Sequence, residues 1–142
     1  MEGYRLINHT ADIAFEAYGY SLEELFENAT RAFYDAFAVL ESVGIDREQI
    51  IEMEDSDIEM LFFRYLNELL YLFDTDFFAG KEVNVSIEDV EDELRLKAKL
   101  KGGKISPEIV KTEPKAITLH KFMIEKVKNE KEFWKAFVVV DI

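Results

Sequence analysis

No cysteine occurs in the 142 residues, which excludes disulfides, zinc thiolate sites and thiol nucleophiles and fits a reducing compartment. Imidazole is almost as scarce, since His9 and His120 are the two histidines. Neither the GxxxxGK[ST] phosphate loop nor the GxSxG nucleophile elbow is present, so a nucleotide-hydrolysing or serine-nucleophile enzyme is not supported. Basic residues are outnumbered, with 17 Lys and Arg against 30 Asp and Glu and a net charge of −13. Affinity for nucleic acid comes mainly from neutralising phosphates, so no strong direct binding to RNA or DNA is expected. Cations or a basic protein partner are the natural complements. No apolar run approaches the ~20 residues needed to span a bilayer. The start MEGYRLINHT lacks the basic and apolar regions of a signal peptide, so a cytoplasmic location is the default expectation.

Hydrophobic residues make up 49% of the chain, enough to expect a real core rather than disorder. A chain of this length buries roughly two-thirds of its unfolded surface and is expected to form a single domain over residues 1–142. Abundant Glu and Lys with a single glutamine, Gln49, lean toward a heat-adapted source.

Two short strands are expected at Tyr4 to Asn8 and Ala11 to Tyr18, where Ile13, Phe15 and Ala17 alternate with polar residues. Ser21 and Glu24 have capping-box spacing and open a helix with apolar residues from Leu22 to Leu40. A strand near Gln49 to Glu54 leads to a second helix, with Ser56 and Glu59 as its expected capping box. Leu61, Phe62, Tyr65, Leu66, Leu69, Leu72 and Phe73 cover most of that helix, so it should be buried on more than one side. Four strands follow, EVNVSIEDV, ELRLKAKLK, ITLHKFMIEKV and FWKAFVVVDI, with Gly102, Gly103, Pro107 and Pro114 marking a long loop between the second and third. The order ββαβαββββ predicts an α+β fold, two helices packed on one face of a mainly antiparallel sheet.

The ending FVVVDI sets the Asp141 carboxylate beside that of Ile142, on a strand face whose preceding members are apolar. Neighbouring carboxylates call for a cation, and a hard divalent ion such as Ca²⁺, Mg²⁺ or Mn²⁺ suits oxygen donors. A solvated chain end is the bland alternative. At NHTAD, residues 8–12, His9 and Asp12 read either as turn polar groups or as site residues. Lys111, Lys115, His120 and Lys121 form a basic stretch in an acidic chain, able to meet a phosphate or a partner's acidic group or simply to face water.

HTADIAFEAYGYSLEELFENATRAFYDAF, LLYLFDTDFF, KAITLH and VVVDI together resemble the archease family, nearly end to end. Family members usually have Tyr where this chain has Leu119. The resemblance implies an accessory factor rather than an enzyme, one that activates an RtcB-type tRNA-splicing ligase by promoting guanylylation of its active-site histidine and repeated turnover. It also implies a broadened use of nucleotide triphosphates by the ligase and a wider role as a chaperone or modulator of nucleic-acid-processing proteins. It assigns a divalent-metal site to Asp12, Asp141 and the carboxylate of Ile142, and partner contact to Lys115 and His9. A metal-dependent hydrolase using Asp12, Asp141 and His9 is the alternative, and a purely structural calcium site is a third reading.

Overall fold

The computed structural model describes residues 3–9 and 11–142. Its elements are β1 (Tyr4–Asn8), β2 (Asp12–Gly19), α1 (Leu22–Phe37), β3 (Arg47–Asp55), α2 (Ile58–Thr75), β4 (Phe78–Val90), β5 (Glu93–Lys104), β6 (Ala116–Lys128) and β7 (Glu132–Asp141). The order is the ββαβαββββ expected, and every strand pair is antiparallel. The strands form two sheets where one was expected, a four-stranded sheet ordered β1-β2-β7-β6 and a three-stranded sheet ordered β3-β5-β4. Alternation tells which residues share a face, but it carries no information on how many sheets the strands join.

Each helix packs against both sheets. Helix α1 lies on β1 and β2 of one sheet and β4 of the other, while α2 lies on β6, β3 and β4. Accordingly Leu25, Phe26, Ala29, Phe33 and Phe37 of α1 are fully buried, as are Leu61, Phe62, Tyr65, Leu66 and Leu69 of α2. Phe26 meets the Phe62 ring edge-on at 5.0 Å, and the Thr30 and Tyr65 hydroxyls share a buried 2.6 Å hydrogen bond. Deleting such a ring costs about 3–5 kcal/mol, so this helix contact holds the layers together.

Ser21 caps α1 by accepting from the Glu24 backbone N–H, and Glu24 answers by accepting from the Tyr20 N–H. The helix stops at Phe37, leaving Leu40 in a short 3-10 turn. In α2 the cap sits one residue beyond Ser56, because Asp57 accepts from the Glu59 N–H while Asp55 accepts from the Asp57 N–H. The stronger carboxylate acceptors thus displace the serine.

The loop expected from residue 102 starts later, since β5 continues through Gly102 and Gly103 to Lys104. A Cβ on Gly102 would stand 1.8 Å from the Ala79 carbonyl oxygen, where β4 changes register between Gly80 and Glu82. Glycine here permits close strand approach rather than a turn.

Candidate metal site at the meeting of the chain ends

Strands β2 and β7 are central neighbours in the four-stranded sheet, and their pairing begins with Asp12 opposite Asp141. Directly opposed residues on antiparallel strands project from the same face. The alternation places both aspartates on the face away from Ile13, Phe15, Val138 and Val140, whose side chains join the core. Unshielded like charges in this position are destabilising by about 0.2–1 kcal/mol. Among the described residues Asp141 has no ion pair, and Asp12 has one, with His9.

The ends are tied together by backbone. The Ile142 N–H donates to the Ala11 carbonyl at 3.3 Å, and the Lys115 N–H donates to the Asp141 carbonyl at 2.8 Å. His9 closes the turn into β2 twice, with its N–H on the Asp12 carbonyl at 3.0 Å and its Nδ1 at 2.9 Å from Asp12 Oδ1. An ionised carboxylate only accepts, so Nδ1 carries a proton. Thr10 of the HTAD motif lies outside the described residues.

Thus all five site candidates named from sequence, His9, Asp12, Lys115, Asp141 and Ile142, gather where β2, β6 and β7 meet. The neighbouring basic residues do not join them. Lys111 Nζ is spent on the Asp35 carbonyl at 2.9 Å and its carboxylate at 3.6 Å. His120 and Lys121 lie exposed in the irregular part of β6, where Lys121 has a φ of 56°. Sequence reading missed the part of Ala11, whose backbone oxygen anchors Ile142, because alanine advertises no such role.

Among the described residues, no three His, Cys, Asp or Glu side chains stand close enough together to hold an ion by themselves. The paired strands bring together two aspartate carboxylates, with the Ile142 backbone beside them on the Ala11 carbonyl. Carboxylates are hard oxygen donors, which fit Ca²⁺, Mg²⁺ or Mn²⁺ better than zinc or copper.

Farther along this face Glu16 receives the Tyr18 O–H and Arg5 Nη2, the latter at 2.8 Å, with Lys135 Nζ at 3.9 Å. The tyrosine hydrogen bond and the cations hold the Glu16 carboxyl below the ordinary carboxylate range. Burial, together with that carboxylate, pushes the Tyr18 hydroxyl up to about 12. Here Glu16 is offset by two cations, whereas no described lysine or arginine pairs with the aspartates.

Comparison with known proteins agrees with this architecture. The sequence pattern of the Archease protein family (MTH1598/TM1083) matches residues 4–142. The chain is 58% identical to an Archaeoglobus fulgidus protein named Protein archease, covering 98% of each chain. It is 38% identical to the Protein archease of Pyrococcus abyssi over the whole of both. The solution structure of Methanobacterium thermoautotrophicum protein 1598 superposes with a TM-score of 0.85 at 33% identity, covering all of both chains. No described helix is long and apolar enough to cross a membrane.

Proposed function

The chain belongs to the archease family, and on that premise we propose that it activates an RtcB-type tRNA-splicing ligase by promoting guanylylation of the ligase's histidine and repeated turnover. The same reading covers a chaperone or modulator role toward nucleic-acid-processing proteins. The observation that carries the reading is the register of Asp12 opposite Asp141 on an outer face, an acidic pair left without a lysine or arginine among the described residues.

Asp12, Asp141 and the carboxylate of Ile142 would hold a divalent ion, calcium, manganese or magnesium. When bound, such an ion supplies positive charge and Lewis acidity toward phosphate oxygens. The protein's own part is positional. The Asp12 carboxylate is oriented by the His9 ring, and the Asp141 backbone is clamped by Lys115. Those two contacts hold the aspartates on neighbouring strands, so little entropy is lost when they take up a cation. Guanylylation exchanges a pyrophosphate leaving group for a bond to the ligase histidine, and the nucleophile belongs to the ligase. The accessory protein therefore needs no catalytic constellation, which accords with the scarcity of imidazole and thiol.

The test is a guanylylation and multiple-turnover ligation assay with the cognate ligase. Asp12→Ala and Asp141→Ala variants that retain the native fold should lose stimulation. Full stimulation by both would remove the metal site from the mechanism.

The second reading, a metal-dependent hydrolase, draws on the 2.9 Å pairing of His9 with Asp12, the arrangement of an oriented base. Turnover of phosphoesters by the protein alone with Mn²⁺ would favour it.

A further inference from the structure

Helix α2 ends in a way its sequence does not favour. After the cap at Asp76 the chain turns through Phe77 at a φ of 53°, the left-handed position beyond a helix where glycine is the usual residue and a bulky one is strained. The strain does not serve the core. Phe77 is 54% exposed, while its carbonyl is fixed by the Ile105 N–H at 2.7 Å. A large apolar side chain is thus held out toward solvent by a defined backbone, and strain of this kind gathers at binding sites.

Phe77 forms one wall of a cleft of about 340 Å³ whose other apolar walls are Phe73, Ile105, Pro107, Val110 and Pro114. Its charges are of one sign. Asp74 and Glu113 line it, both exposed and neither in an ion pair among the described residues, and no lysine or arginine lines it. A second recess shares Asp74, Glu113 and Pro114 with this cleft and passes Tyr71, 56% exposed, to reach Lys115. The two form one elongated groove. Lys115 donates its backbone N–H to the Asp141 carbonyl, so the groove leads up to the paired strand ends.

An elongated groove with an exposed aromatic along each half suits an extended chain better than a compact small molecule. Its carboxylates select that chain. An apolar side chain fills the cleft, and a neighbouring lysine or arginine meets Asp74 and Glu113. A second copy of this chain would bring another net charge of −13 against the first. We propose that the groove between the end of α2 and the loop before β6 receives an extended segment of the ligase, one carrying an apolar side chain flanked by lysine or arginine. This rests on the ligase reading above and names its docking surface, which uses none of the carboxylates assigned to the ion.

The experiment uses the full-length protein with the cognate ligase. Phe77→Gly removes the ring at a position whose backbone suits glycine, and Asp74→Lys and Glu113→Lys each reverse a charge in the groove. Glu130→Lys, exposed in the turn between β6 and β7, changes the net charge equally at another place. Binding is read by biolayer interferometry, folding by circular dichroism. The three groove variants should each weaken ligase binding at least about 10-fold, with Glu130→Lys like the wild type. Because the chain has no cysteine, a photoreactive maleimide on Ser106→Cys, at the cleft, gives an independent measurement should a groove variant misfold. It should crosslink to the ligase, and the same label on Glu130→Cys should not.

Unchanged binding by folded Phe77→Gly overturns the proposal, as does a loss for Glu130→Lys equal to that for Asp74→Lys, since net charge alone would then decide. A wild-type dimer in sedimentation that Phe77→Gly dissociates while ligase binding persists gives the groove to a second copy and overturns it too. If the wild type binds through the groove but stimulates no guanylylation, docking stands and the activation reading fails. If it stimulates guanylylation while the folded groove variants bind and stimulate as well, activation stands and this docking surface fails.

Discussion

The outer faces of the two sheets solve the same problem in opposite ways. On the three-stranded sheet the central strand carries Arg95, Lys97, Lys99 and Lys101 in alternation, all exposed. They are flanked by Glu48, Glu52 and Glu54 of β3 and by Glu82 and Glu88 of β4. Pairs form at 3.2 Å for Arg95 with Glu54, 3.5 Å for Lys99 with Glu48 and 3.9 Å for Lys97 with Glu52. Each such exposed pair contributes about 0–1 kcal/mol, but the ladder keeps the face wet and discourages edge or face association. On the four-stranded sheet the corresponding rows are largely apolar, with Arg5 and Lys135 around Glu16 toward one end and the Asp12 and Asp141 pair at the other. One outer face is lined by paired charges, the other by apolar side chains.

The largest expected effect on this contrast comes from breaking the charged sheet from beneath. Gly102→Ala would drive a methyl into the Ala79 carbonyl, 1.8 Å away. It should cost about 3 kcal/mol or more in chemical unfolding, because backbone on backbone leaves nothing flexible to yield. A cost below about 1 kcal/mol would mean that the strands are not this close.

A smaller effect, with a change of sign, should come from Asp141→Asn. In the presence of chelator it removes a like-charge opposition and should raise stability by about 0.5 kcal/mol. In excess Ca²⁺ or Mn²⁺ it should lower stability relative to wild type, and calorimetry should show at least about 10-fold weaker ion binding. Destabilisation of equal size with and without ion would leave Asp141 a structural residue only.

The smallest contrast sets Glu16 against Glu52. Glu16 has its folded pKa lowered from 4.5 by the Tyr18 hydroxyl first, and by Arg5 and Lys135. A lowered folded value means stability that is present above the unfolded pKa and is lost as pH falls through the folded one. Wild type should therefore lose stability on acidification below about pH 4.5, the ordinary glutamate value. Glu16→Gln should flatten that part of the profile. Glu52→Gln, at a wide and exposed pair, should change stability by less than about 0.5 kcal/mol at any pH. Identical acid profiles for the two variants would show that the Glu16 cluster is not coupled to folding.

Much of this was legible in the chain because local rules act locally. The α1 cap was read from Ser21 and Glu24, and the buried positions of α2 from Leu61 to Phe73, since 3.6-residue periodicity records directly which side meets the core. The strand order followed from the same patterning. What failed were choices between near-equal local options. Asp57 outcompeted Ser56 as a cap, and Gly102 and Gly103 read as loop although the reason for glycine is a neighbouring strand distant in sequence.

The candidate site divides the same way. Asp12 and Asp141 each looked weak because they stand at opposite ends of the chain, and their meeting is a matter of sheet register, which depends on all the apolar contacts of β2 and β7 together. Family resemblance supplied the grouping that spacing could not. The apolar outer face was only half legible. Alternation in β7 told that Phe137, Val139 and Asp141 share a side, but which side meets the helices is decided when the sheet packs.

By itself, then, the sequence determined the composition of elements, their amphipathic faces and the excess negative charge, since each depends on residues near in the chain. Tertiary structure alone decided that the strands divide into two sheets, that Asp12 lies opposite Asp141, and that an apolar face stays outside the core. Those outcomes depend on long-range pairing, whose free energy comes from burying side chains of residues far apart in the chain.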